Sequence, residues 1–141
     1  VRYTNEVDNI KQLIAAAKEV RLNSYSPYSK YQVGAAILCA SGQIYAGCNA
    51  EVASYTGTEH AETAALASAI SAGEALAKPH FIEAVAVVTA DGAYPCGNCL
   101  QRLTEHTDDC DIYVANDQGE ILQQTTLKKM LPVRFKLKNK F

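Results

Sequence analysis

Two short stretches of this chain carry side chains whose types and spacing could do chemistry together: His60-Ala61-Glu62 and Pro95-Cys96-Gly97-Asn98-Cys99. A Cys-x-x-Cys pair at the start of a helix suits zinc, because the helix N-terminus favours thiolates and the spacing brings both sulfurs to one point. Adding His60 makes three protein ligands, which leaves tetrahedral zinc a fourth position for water. That is the arrangement of a catalytic site, not of a closed structural one. Zinc lowers the pKa of such a water to roughly 7. Glu62 stands beside the histidine without being a ligand, so it could take the water's proton and hand it on. The expected cofactor is one Zn2+ per chain.

Each piece taken singly has a plainer reading. Cys96 and Cys99 could be a dithiol redox pair, and His60 an ordinary residue at a helix start. Glu62 in a first helical turn could simply complement the helix dipole. A zinc-stabilised binding module without activity would need a fourth ligand, for which Cys48 is the loose candidate.

The elements that must position these groups follow from periodicity and breakers. Val7, Ile10, Leu13, Ile14, Ala17 and Val20 recur at helical spacing, which predicts an amphipathic helix over about 7–22. Asn23, Ser24, Ser26 and Pro27 break it. Apolar runs over 33–40 and 43–48, on either side of Ser41-Gly42, read as a β-hairpin. After a polar loop, 49–59, the alanine-rich stretch 61–72 reads as a helix with Leu66 and Ile70 one turn apart, ended by Gly73. Residues 82–89 are nearly all apolar and β-branched, the pattern of a central strand buried on both faces. A helix over about 97–105, a strand over 111–115, a turn at 116–119, a short strand around Ile121-Leu122 and a last helix over 126–131 complete the chain. Pro132 stops that helix. The order implies a mixed sheet between helices, an α/β fold. Both functional fragments then open helices.

Bulk properties narrow the function classes. A chain of 141 residues, 48% hydrophobic and 20% charged, fits one domain over residues 1–141 with a sizeable core. A net charge of −2 disfavours nucleic acid as the partner. Six of the 13 Lys and Arg lie at 128, 129, 134, 136, 138 and 140, and read as a solvated C-terminal tail. Five cysteines, an odd number, with no apolar leader or membrane-length segment, lead to the expectation of a reducing, cytoplasmic setting.

Together, His60-x-Glu62 and Pro95-Cys96-x-x-Cys99 match the signature of zinc nucleobase deaminases. The resemblance is wider than that motif. Ser24-Tyr25-Ser26-Pro27-Tyr28-Ser29-Lys30-Tyr31-Gln32-Val33-Gly34-Ala35-Ala36 is similar to the opening block of cytidine deaminases. Gly47-Cys48-Asn49-Ala50-Glu51 and Ala53-Ser54-Tyr55 resemble the next block, and Leu131-Pro132 with Phe135 the C-terminal end. The likeness spans about residues 7–135 in register. It implies a three-layer α/β/α sandwich around a mixed five-stranded sheet, and zinc-dependent hydrolysis of cytidine or deoxycytidine to the uridine with release of ammonia. It also implies that Asn49 and Glu51 bind the ribose hydroxyls, that the Tyr31 ring lies against the pyrimidine, and that the Ala61 backbone N–H meets the base carbonyl. A homotetramer is implied, with Phe135 and the 53–55 loop near a neighbouring site. The duller readings of these residues are turn chemistry for Asn49 and Glu51 and a core-edge aromatic for Tyr31.

The chain departs from that family in specific places. Short members usually carry cysteine where His60 stands, and arginine at the positions of Thr63 and Leu100. Zinc with three thiolates is net −1, which arginines can offset, whereas two thiolates and a neutral imidazole leave it neutral. The three changes are therefore expected to be correlated. Val52 and Thr56-Gly57 also differ from the usual loop beside the sugar, so another aminopyrimidine nucleoside, such as blasticidin S or a modified cytidine, is the alternative substrate.

Overall fold

The protein is described as a computed structural model covering residues 2–137, with side chains from residue 6. Lys138 and Lys140 of the expected basic tail lie outside the described residues. The chain forms α1 (Arg2–Arg21), β1 (Gly34–Cys39), β2 (Ile44–Cys48), α2 (Ala61–Ser71), α3 (Glu74–Ala77), β3 (Ile82–Val88), α4 (Gly97–Leu103), β4 (Asp111–Ala115), β5 (Ile121–Thr126) and α5 (Leu127–Met130). The five strands make one sheet in the order β2-β1-β3-β4-β5. β1 runs antiparallel to β2 and β3, β3 is parallel to β4, and β5 returns antiparallel.

Alternation along the central strands divides the core in two. On one face Ala36, Ala84, Ala86, Val88, Tyr113 and Ala115 pack under Leu13, Ile14 and Ala17 of α1. On the other, Ile37, Val85, Val87, Ile112 and Val114 meet Ala65 and Leu66 of α2, Leu100 and Leu103 of α4, and Leu127 of α5. The result is a three-layer α/β/α sandwich. β3 is buried on both faces save Glu83, as a strand between two helical layers must be.

Close approach of α2 to the sheet depends on Gly47 in β2. A Cβ there would lie 2.4 Å from the backbone nitrogen of Ala65, so only glycine lets the helix settle at this depth. The position of α2 matters because His60 and Glu62 are at its head.

Several expectations are corrected in detail. α1 begins at Arg2, not near residue 7, because apolar spacing marks only the part of a helix that touches the core; Val7 itself is exposed. Ile70 faces solvent while Leu66 is buried. Gly73, in the left-handed region at φ 95°, does end α2, but α3 follows at once. β5, expected as a short strand around Ile121-Leu122, runs over six residues. It is a mostly exposed edge strand whose Gln123, Gln124, Thr125 and Thr126 hide any apolar alternation. Thr126 caps α5, its hydroxyl accepting from the Lys129 N–H at 3.2 Å. Arg134 is not part of a solvated tail: its guanidinium donates to the carbonyls of Thr107 (3.0 Å) and Asp108 (2.6 Å), anchoring the C-terminal segment. Lys128, Lys129 and Lys136 are exposed. Among the described residues no helix is long and apolar enough to cross a membrane.

Candidate active site

The residue immediately before α2 is His60 and the one immediately before α4 is Cys96, so both occupy N-cap positions. Neither side chain caps its own helix. Their carbonyls begin the two helices, accepting from Ala64 and Leu100 at 2.9 Å each, and their extended backbone (ψ 152° and 171°) turns the side chains away. Cys99, three residues into α4, is fully buried. The three meet. Cys96 Sγ lies 3.4 Å from His60 Nδ1, Cys99 Sγ lies 3.3 Å from it, and the sulfurs are 3.6 Å apart.

Tetrahedral zinc, with Zn–S about 2.3 Å and Zn–N about 2.0 Å, spaces its ligand atoms about 3.5–3.8 Å apart. The observed triangle is smaller than that by only about 0.2 Å per edge, so these residues fit the ion with a slight opening. Among the described residues no further His, Cys, Asp or Glu joins the group; Cys48 stays outside it, and all five cysteines are unbridged. Burial, with Glu62 beside it, pushes the Cys99 thiol upward in the protein alone. A bound dication reverses that penalty and holds the thiolate.

Glu62 is 6% exposed. Burial raises its carboxyl above the ordinary range, opposed by its own backbone N–H and by contact with Cys99 and His60. A carboxyl held nearer neutrality in this way is suited to both accepting and releasing a proton. Next to it Thr63, also buried, is within hydrogen-bonding reach of the Glu59 carboxylate and the His60 carbonyl. Leu100 is in the core under α4. The two positions expected to have lost an arginine are thus occupied by groups with their own partners.

A cavity of about 280 Å³ opens beside the triad, with His60, Glu62 and Cys96 in one wall. Tyr31, Asn49, Glu51 and Ala61, the sequence-derived substrate residues, all line it. Much of their hydrogen bonding is already committed. Asn49 accepts from the Val33 N–H (2.9 Å) and the Ser24 hydroxyl and donates to the Tyr31 carbonyl (2.9 Å), which leaves one amide proton. One oxygen of Glu51 accepts from the backbone N–H groups of Tyr28 and Ser29 at 3.1 Å each. The Ser29 side chain and these N–H groups hold its carboxyl below the ordinary range. Turn chemistry and cavity lining, which looked like rival readings, are both present in these two residues. Ala61 is the first residue of α2, where a backbone N–H has no acceptor within the helix.

Sequence reasoning missed part of the wall. Ala93 and Tyr94, from the segment between β3 and α4, line the cavity with Thr58 and Val87. No spacing rule marks them, since they reach the site only because that segment leads into the Cys96 helix.

A family model for the cytidine and deoxycytidylate deaminase zinc-binding region matches residues 7–115. The chain is 40% identical over 130 residues to a cytidine deaminase of Sporosarcina psychrophila, covering 90% of this chain and 91% of that one. The crystal structure of cytidine deaminase from Burkholderia pseudomallei superposes with a TM-score of 0.80 at 38% identity, over 88% of this chain and 97% of that chain. That from Mycobacterium tuberculosis does so at 0.75 and 32%, over 89% and 96%. The family-model match takes in the His60-Ala61-Glu62 and Pro95–Cys99 fragments and strands β1 to β4: this chain belongs to the cytidine and deoxycytidylate deaminase zinc-binding family.

Proposed function

We propose that this protein hydrolyses the exocyclic amine of cytidine or deoxycytidine, giving the uridine and ammonia, with His60, Cys96 and Cys99 holding one zinc and Glu62 moving protons. The observation that carries this reading is a buried Glu62 carboxyl between a three-ligand cluster and a nucleoside-sized cavity. Zinc, when bound, supplies the Lewis acidity that makes water a competent nucleophile near neutral pH. Glu62 accepts a proton from that water as it attacks the ring carbon bearing the amine. It passes that proton to the ring nitrogen. It then takes the second proton from the newly formed hydroxyl as the carbonyl forms and passes it to the amine, which leaves as ammonia. The Ala61 N–H, at a helix N-terminus, donates to the base carbonyl. The second oxygen of Glu51 and the remaining amide proton of Asn49 serve the sugar hydroxyls, and the Tyr31 ring walls the base.

The whole chain acts as one deaminase unit in nucleoside salvage. A cytoplasmic setting accords with its unbridged cysteines. A homotetramer accords with the exposed Tyr28, Tyr55, Val133 and Phe135. The deciding experiment is a deaminase screen of cytidine, deoxycytidine, cytosine and blasticidin S, with zinc content measured alongside. Turnover is expected on the two nucleosides, and Glu62→Gln should lose roughly 10²–10⁴-fold in kcat while retaining zinc. Undiminished cytidine turnover in Glu62→Gln would overturn the assignment of the proton carrier, and turnover of blasticidin S alone would overturn the substrate.

A further inference from the structure

Tyr31 donates its phenolic proton to Asp91 Oδ1 at 2.7 Å, across a separation of 60 residues. Each end of this bond is anchored. The Tyr31 N–H donates to the Ser29 hydroxyl at 3.0 Å and its carbonyl accepts from Asn49 at 2.9 Å. Lys30, just before it, sits in the left-handed region at φ 61°, a conformation non-glycine residues seldom adopt, so this stretch of backbone is closely specified. Only the ring's own torsions are left to fix, and Asp91 takes hold of its far end.

Asp91 is itself on a braced turn. Thr89, fully buried at the end of β3, accepts from the Gly92 N–H at 2.7 Å and donates its own N–H to the Ala115 carbonyl at 3.2 Å. Gly92 has φ 85°, and a Cβ on it would come within 2.7 Å of the Leu122 side chain, so the turn packs against β5. From this turn the chain runs through Ala93 and Tyr94 to Cys96, all in the cavity wall. The Tyr31–Asp91 bond therefore ties the wall that precedes β1 to the wall that leads into α4.

We propose that Asp91 is a positioning residue that clasps the Tyr31 ring in place, so that the cavity is preformed for a flat base before substrate arrives. The inference rests on the reading that this cavity takes the nucleoside. A phenol donating to a carboxylate is a charge-assisted bond, stronger than one between neutral groups. Fixing the ring before binding removes an ordering cost that substrate binding would otherwise bear. Ground state and transition state both need the ring there, so the effect belongs in KM and not in kcat.

The test is a double-mutant cycle on cytidine turnover. Asp91→Ala should raise KM about fivefold, the worth of a hydrogen bond to a charged group weakened by its exposure to solvent, with kcat within about twofold of the parent. Tyr31→Phe should raise KM by the same factor, and the double variant should be no worse than either. Asp91→Asn, whose amide oxygen still accepts the bond but without the charge, should recover part of the loss. An unchanged KM in Asp91→Ala, effects that multiply in the double variant, or a loss confined to kcat overturns the clasp. Should the parent protein fail to turn over cytidine, the functional reading falls by itself. The clasp is then decided by the Tyr31 ring ¹³Cζ resonance, assigned with Tyr31→Phe. It should move in Asp91→Ala and move less in Asp91→Asn, and an unmoved resonance in Asp91→Ala overturns it.

Discussion

On the proposed ligand set, His60 would set the electrostatic character of the site. With two thiolates and one neutral imidazole, bound zinc is formally neutral, whereas a third thiolate would leave it at −1 and weaken its pull on water. The neighbouring residues match the neutral state: Thr63 is bonded to Glu59 and the His60 carbonyl, and Leu100 is core. His60→Cys should therefore keep about one zinc per chain but lose turnover, and Thr63→Arg added to it should restore part of the loss. Metal analysis with kcat for the single and double variants decides this, and equal turnover in the two sinks it. Arginine at position 63 has also to displace the Thr63 bond to Glu59, so recovery is expected to stay incomplete.

At the scale of elements, the site is as well placed as the packing of α2 and α4. Gly47 permits α2 to approach β2, so Gly47→Ala should push the helix outward and cost about 1–3 kcal/mol in stability. Chemical denaturation measures it, and an unchanged midpoint would mean that the backbone yields at no cost. The connection after α4 carries a pH dependence. His106 lies against Phe81, with ring centroids 5.0 Å apart, and burial holds its imidazole below the ordinary value of 6.5. The unfolded chain then takes up a proton near 6.5 that the folded chain resists. Stability should accordingly be full above about pH 6.5 and decline as pH falls towards the lower folded value. His106→Gln should flatten the decline between pH 7.5 and 5.5, read as the shift in denaturation midpoint. An identical slope in the variant would remove His106 as the cause.

At the scale of the whole molecule, two sets among the exposed apolar side chains bear on assembly. Tyr28 and Tyr55 meet edge to face at 6.2 Å beside the loop that follows Glu51. Val133, Phe135 and Leu137 lie along the C-terminal segment, which Gln101 holds through bonds to the Phe135 carbonyl (3.0 Å) and N–H (3.3 Å). A segment tied down by its backbone while its side chains face outward is suited to covering by another copy of the chain. Sedimentation analysis should find four chains per particle, and Phe135→Ser should shift the particle towards smaller species. A parent protein that sediments as one chain would rule out the tetramer.

The sequence by itself determined the features that are local in the chain. The Cys-x-x-Cys spacing, the histidine and glutamate two apart, and the breakers that start α2 and α4 all act within a few residues. The starts of α2 and α4 and the doubly buried β3 were therefore legible from pattern alone. Elements whose side chains meet solvent were legible only in part: β5, an edge strand with little apolar alternation, showed as a short strand without its full six residues, α3 is a single turn, and the first residues of α1 have no apolar spacing to reveal them. Only the tertiary structure decided which hydrogen-bonding capacity is left over. It committed most of Asn49 and half of Glu51 to the backbone around Tyr31, moved Arg134 from tail to anchor, and brought Asp91 to Tyr31. Periodicity reports which face of an element is buried. Which polar group it finds there depends on strands and loops from distant parts of the chain arriving at the same end of the sheet.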